Sequence, residues 1–301
     1  MIRMLATVLF TAASGLGAGA EDLAAPPIVT AKAWVIAEAS TGAVLWQHQA
    51  DTPRKAASTA KTMCAYTVLR LAEKDPAVLE EWVAISELAG TTTGSTADLK
   101  PGEKAQVKDC LLGLLLPSGN DAGNALAEHF HPRLPPPDGP MLARGLDNPL
   151  LATRVNFVAE MNRLARELGL ASTIYRSAFG DGGTEQDRTT TARDLARLAF
   201  FAMQKPVFRT WVATRRHEAV VKSANGTPRT ALWENSNDLL ALDLGYDGIK
   251  TGVTNQAGHC LIASGRHGDD ALHVVVLGSA SEESCSADAR NLFRWAWTQR
   301  P

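Results

Sequence analysis

GIKTGVTNQAGHCLIASGRHGDDALHVVVLG, residues 248–278, decides the fold class. It holds three strand-like runs, Gly248–Val253, Gly258–Ser264 and Leu272–Gly278, parted by Asn/Gly/Asp turn residues. At the other end of the chain, Trp34–Ala39 and Ala43–His48 are two short apolar runs joined by Ser40-Thr41-Gly42, a β-hairpin. Between these ends the pattern turns helical. Ala57–Glu73 has an apolar stripe through Met63, Tyr66, Leu69 and Leu71, and Val107–Leu116 is apolar all round, which predicts burial. Asn124–Phe130 adds a helical turn or two. Val155–Leu168 places Val155, Val158, Met161, Leu164 and Leu168 on one face, with Gly169 as its stop. Thr191–Met203 and Ala287–Thr298 read as further helices, Val212–Val221 as a strand, and the Pro/Gly-rich Leu134–Asn148 as a surface insertion. Terminal strands with helices between them predict an α/β fold. Its sheet is mostly antiparallel with helices on both faces, and a helical lobe is inserted.

The chain has 301 residues, 45% hydrophobic and 21% charged, which excludes a disordered or collagenous chain and allows a large core. Its 30 Lys+Arg against 32 Asp+Glu give a net charge of −2. That balance offers no basic face for nucleic acid or anionic lipid. Residues 1–20 have a basic start at Arg3, an apolar run from Met4 to Ala13 and Ala18-Gly19-Ala20, the pattern of a signal peptide cleaved before Glu21. The run of about ten residues is short for a hydrocarbon layer of roughly 30 Å; an uncleaved anchor is the alternative. The expectation is one catalytic domain over residues 21–301, periplasmic or secreted, with no stable membrane anchor.

Export makes the four cysteines, Cys64, Cys110, Cys260 and Cys285, candidates for disulfides; four buried free thiols are the competing reading. Two helices that bring their serines to one cleft would bring Cys64 near Cys110, and antiparallel strands would bring Cys260 near Cys285. The preferred pairing is therefore 64–110 and 260–285. His129-x-His131 reads as a surface cluster rather than a metal site, and no cofactor is expected.

Three short motifs carry chemistry. Ser58-Thr-Ala-Lys61 opens the first helix, Ser118-Gly-Asn120 follows the buried second one, and Lys250-Thr-Gly252 lies on a strand. An S-x-x-K or S-x-N turns up about once by chance in a chain of this size, and K-T-G far less often. A second S-x-N, Ser223-Ala-Asn225, sits in a Gly/Pro-containing loop and reads as surface. A serine hydroxyl needs a base to become a nucleophile, and at i and i+3 Ser58 and Lys61 share a helix face. Lysine serves as base when burial and a second cation, here Lys250, disfavour its charge. Ser118 would pass the proton to a leaving amine, Asn120 would hold a substrate amide, and the helix start at Ser58 would favour an oxyanion.

S-x-x-K, S-x-N and K-T-G in this order mark penicillin-binding proteins and class A β-lactamases. From about Ala31 to Trp297 the chain resembles the low-molecular-weight D-alanyl-D-alanine carboxypeptidases, serine peptidases of the S11 type. Leu116-Pro-Ser-Gly-Asn-Asp-Ala122, Met161-Asn162, Leu168-Gly169, Thr191-Ala-Arg-Asp-Leu195 and Asp247-Gly-Ile-Lys-Thr-Gly252 strengthen the likeness. The resemblance implies a β-lactamase/DD-peptidase fold with Ser58 as nucleophile, Lys61 as base and Ser118 as the third catalytic group. It also implies Asn120, Lys250, Thr251, Gly252 and Val253 as substrate-binding residues, with the Ser58 and Val253 N–H groups as oxyanion hole. The implied partners are a peptidoglycan stem peptide and β-lactams. The chain carries Gly119 rather than Asp inside S-x-N as part of that likeness. It departs from the family in lacking an Arg in Ser279–Cys285, leaving carboxylate recognition to Thr251 and Lys250, and it ends before the β-rich domain and amphipathic anchor of longer members. The rivals are a class A β-lactamase, for which Glu160 or Glu167 would activate water, and a non-catalytic peptidoglycan- or β-lactam-binding protein.

Overall fold

The structure is a computed structural model describing residues 25–138, 152–180 and 190–300. The signal-peptide reading and most of the Leu134–Asn148 insertion lie outside them. Strands β1 (Ala33–Glu38), β2 (Val44–His48), β7 (Tyr246–Thr254), β8 (Gly258–His267) and β9 (Asp270–Ser279) form one antiparallel sheet in the order β2-β1-β9-β8-β7. The two chain ends meet at β1–β9, where Val35 faces Val275 and Ile36 faces Val274 in register. Strand alternation splits the core. Val35, Ile262, Val275 and Leu277 pack on one face, and Trp34, Ile36, Val274 and Val276 pack on the other beneath α8 (Glu282–Thr298). Buried Asp288 of α8 locks the chain entry, accepting from Thr30 N, Ala31 N, Thr30 Oγ1 and Ser279 Oγ at 2.7–3.0 Å.

Over the other face lie α1 (Lys61–Ala72) and α6 (Ala192–Met203), with α3 (Val107–Leu115), α4 (Asn120–Phe130) and α5 (Val155–Glu167) forming the lobe beyond. α2 (Glu87–Gly90) packs against α4. The sheet with helices on both faces and the helical lobe agree with the sequence. A second sheet does not appear in that reading. β3 (Trp82–Ala84), β4 (Lys104–Gln106), β5 (Arg216–Lys222) and β6 (Pro228–Glu234) form it in sequence order. Two of its strands have only three residues. The run read as a strand from Val212 begins instead in helix α7 (Pro206–Ala213), with Pro206 at its start. Ser223 and Asn225 close the β5–β6 turn, as the loop reading required.

The disulfide expectation is corrected: all four cysteines are free and buried. Cys260 and Cys285 pack into different hydrophobic clusters, yet both border the same cleft, and neither is bonded to the other. The Cys260 Sγ faces the Ala257 carbonyl at 3.8 Å. Cys64 and Cys110 are fully buried apolar fillers of the lobe, and burial pushes the Cys64 thiol up to about 12.

Candidate active site

The first helix does not begin as an α-helix. Ala57–Ala60 is a 3-10 turn, entered through Ala57 at φ +48°, and α1 starts only at Lys61. The turn sets Ser58 against strand β7. A methyl group on Gly252 would lie 2.9 Å from both Ser58 N and Ala56 O, so only glycine permits this approach. Ser58 and Lys61 are 4% and 0% exposed, and Lys61 Nζ donates to Ser58 Oγ at 2.7 Å. The i, i+3 spacing therefore yields the contact expected of it.

Lys61 Nζ also donates to Asn120 Oδ1 at 2.7 Å, which joins the first motif to the second. Asn120 is the first residue of α4, four residues earlier than the sequence pattern suggested. Its Nδ2 donates to Thr93 O at 2.8 Å, so Asn120 is held from both sides. Its neighbour Asp121 accepts from Ala97 N, Leu99 N and Thr96 Oγ1, pinning the loop before β4 over the helix start. That loop explains Gly119. A Cβ there would sit 2.8 Å from Ala97 N and 2.6 Å from Asp121 Oδ1. Ser118 takes the left-handed conformation at φ +67°, which a non-glycine residue adopts only under constraint from its surroundings. Its side chain lines the cleft with Ser58.

Lys250 enters from β7 and is 1% exposed. Burial, and then the charge of Lys61, hold its ammonium well below the ordinary lysine range. Two buried ammonium groups this close disfavour each other's charge, the condition an amine base needs. Lys250 Nζ donates to Thr251 Oγ1 at 3.3 Å, and that oxygen lies 2.7 Å from Ser236 Oγ. Val253 is 55% exposed at the mouth. The structure thus gathers Ser58, Lys61, Ser118, Asn120, Lys250, Thr251, Gly252 and Val253 around one cleft.

The chain belongs to the D-alanyl-D-alanine carboxypeptidase family of S11 serine peptidases. The family model matches residues 20–132 and 152–281. The D-alanyl-D-alanine carboxypeptidase of Streptomyces sp. strain K15 is 32% identical over 98% of both chains. DacF of Bacillus subtilis is 29% identical over 89% of this chain and 62% of its own length. The crystal structure of the Streptomyces K15 DD-transpeptidase superposes with a TM-score of 0.79 at 31% identity, covering 91% of this chain and 99% of that one. A penicillin-binding protein homologue of Mycobacterium tuberculosis gives 0.76 at 28% identity, over 93% and 96%.

Within this S11 peptidase, sequence reasoning missed Ser95, Ser236, Asp238, His259 and Glu282, which also line the cleft, and Phe179, whose ring lies 5.9 Å from Lys61 Nζ. None stands in a motif; segments far apart in the chain deliver them, His259 from β8 and Glu282 from the start of α8. The α5 glutamates of the β-lactamase rival are engaged elsewhere, Glu160 with Arg163 of the same helix and Glu167 with Arg70 of α1. His129 pairs with Glu81 at 2.7 Å, and His131 accepts from Asn156 N. Among the described residues no helix is long and apolar enough to cross a membrane.

Proposed function

We propose that this peptidase cleaves the D-Ala-D-Ala end of peptidoglycan stem peptides through an acyl-enzyme on Ser58, as one catalytic domain exported to the periplasm or beyond the cell. The observation that carries the assignment is Lys61 Nζ at 2.7 Å from Ser58 Oγ in a buried site. Lys61 takes the Ser58 proton as Oγ bonds to the D-Ala carbonyl carbon. The Ser58 and Val253 N–H groups receive the oxyanion, and Thr251, backed by Lys250, receives the terminal carboxylate. Ser118 passes the proton to the departing nitrogen as the C–N bond breaks. Water then hydrolyses the ester and restores Ser58.

Penicillins enter by the same attack. Their leaving nitrogen stays tethered after ring opening, so the adduct persists. Release of D-Ala from an acyl-D-Ala-D-Ala peptide, lost in Ser58→Ala, tests the proposal; intact release by that variant contradicts it. The likeness to the Streptomyces K15 DD-transpeptidase favours a second outcome for the same acyl-enzyme, transfer to an amine in place of water.

A further inference from the structure

The cleft is a cavity of about 160 Å³ in which Ser58, Ser118 and Thr251 face Asp238, His259, Glu282 and Ser286. It has room for one side chain. No Lys or Arg lines it among the described residues. Asp238 and Glu282 are exposed there, and neither makes an ion pair with a described residue. Glu282 and Glu283 occupy the first turn of α8. The positive end of a helix amounts to about half a charge, so two carboxylates leave that turn net negative. At the inner end, Lys250 Nζ reaches the Thr251 hydroxyl, with Lys61 close behind. The cleft therefore offers hydroxyl and lysine hydrogen-bond donors at its floor and carboxylates at its rim.

A leaving residue with only a carboxylate satisfies the floor and leaves the rim unpaired. One that also carries a cation satisfies both. We propose that the leaving-residue end of this cleft selects a D-amino acid with a basic side chain, its ammonium or guanidinium held by Asp238 and Glu282 while Thr251 receives its carboxylate. This rests on the acyl-enzyme reading above. The reaction is unchanged. The amide C–N bond breaks, the Ser58 Oγ–C bond forms, the serine proton goes to the leaving amine, and the side-chain cation only binds.

The test compares kcat/KM of the mature protein on acyl-D-Ala-D-Lys and acyl-D-Ala-D-norleucine, which match in chain length and differ in charge. The expected preference for D-Lys is about fivefold at low ionic strength and shrinks in about 0.5 M salt. In the Asp238→Asn/Glu282→Gln double variant the ratio falls to about one. Equal rates in the wild type, or a wild-type ratio that ignores salt, would overturn the inference. A ratio that survives the double substitution would also overturn it. Penicillin labelling of Ser58 in the same preparation separates the two claims. Labelling without a D-Lys preference sinks this inference alone, whereas no labelling sinks the acyl-enzyme as well.

Discussion

Lys61 is the residue on which the chemistry turns. It is fully buried and divides its donors between Ser58 Oγ and Asn120 Oδ1. Arginine keeps a cation but cannot give up its proton, so Lys61→Arg is expected to lose acylation almost as completely as Lys61→Ala. The loss should be about a hundredfold or more in the rate of penicillin acylation. Retention of most of that rate by Lys61→Arg would make Lys61 an electrostatic group and move the base to Lys250 or water. At this scale the sequence was legible where chemistry needs fixed spacing. Ser58 and Lys61 lie one helical turn apart, and the K-T-G and S-x-N triplets are local. Gly119 was legible only as the middle residue of its triplet. Its reason, the backbone of Ala97 pressed against it, comes from a loop 22 residues upstream that no local pattern reveals.

Among the elements, the decisive contact is that of β7 with the 3-10 turn carrying Ser58. Gly252 sets its closeness, with Ser58 N and Thr59 N 2.9 and 3.0 Å from where a Cβ would stand. Gly252→Ala should push strand and turn apart by a few tenths of an ångström or more. The nucleophile would leave its position over the strand, and acylation should fall by about a hundredfold while thermal stability changes little. Penicillin acylation rate and melting temperature, measured on one preparation, check both halves. A variant that acylates normally would show that the turn does not depend on this approach. The long elements of the five-stranded sheet were legible because their apolar runs are long and bounded by Gly and Asn. The four-stranded sheet was not. β5 was read in part, within Val212–Val221, but β3 and β4 are too short to show alternation, and β6 turns Leu232 to the outside, blurring the apolar-in pattern.

Across the whole molecule, His273 is a buried titratable group apart from the cleft that couples stability to pH. His273 of β9 sits opposite Ala37 and Ser264, 1% exposed, with neither ring nitrogen hydrogen-bonded. Burial lowers its pKa from 6.5 to about 4. Between those values the unfolded chain binds a proton that the folded chain refuses. Stability is therefore full above pH 6.5 and is lost as pH falls through 4, by about 3 kcal/mol. Urea unfolding from pH 7.5 down to 4 should show this slope, and His273→Leu should flatten it; an equal slope in both proteins would assign the acid sensitivity elsewhere. The meeting of the terminal strands was legible from their order along the chain, whereas the cysteines were not. Export made bonds reasonable, and Cys260 and Cys285 do border one cleft, yet whether two thiols meet in bonding geometry depends on packing that no local pattern reveals. The measurement that bears most directly on the whole account is mass spectrometry of the mature protein after brief exposure to penicillin. The account predicts one adduct, on the peptide containing Ser58, absent in Ser58→Ala. An adduct on any other residue, or none in the folded wild type, would contradict it.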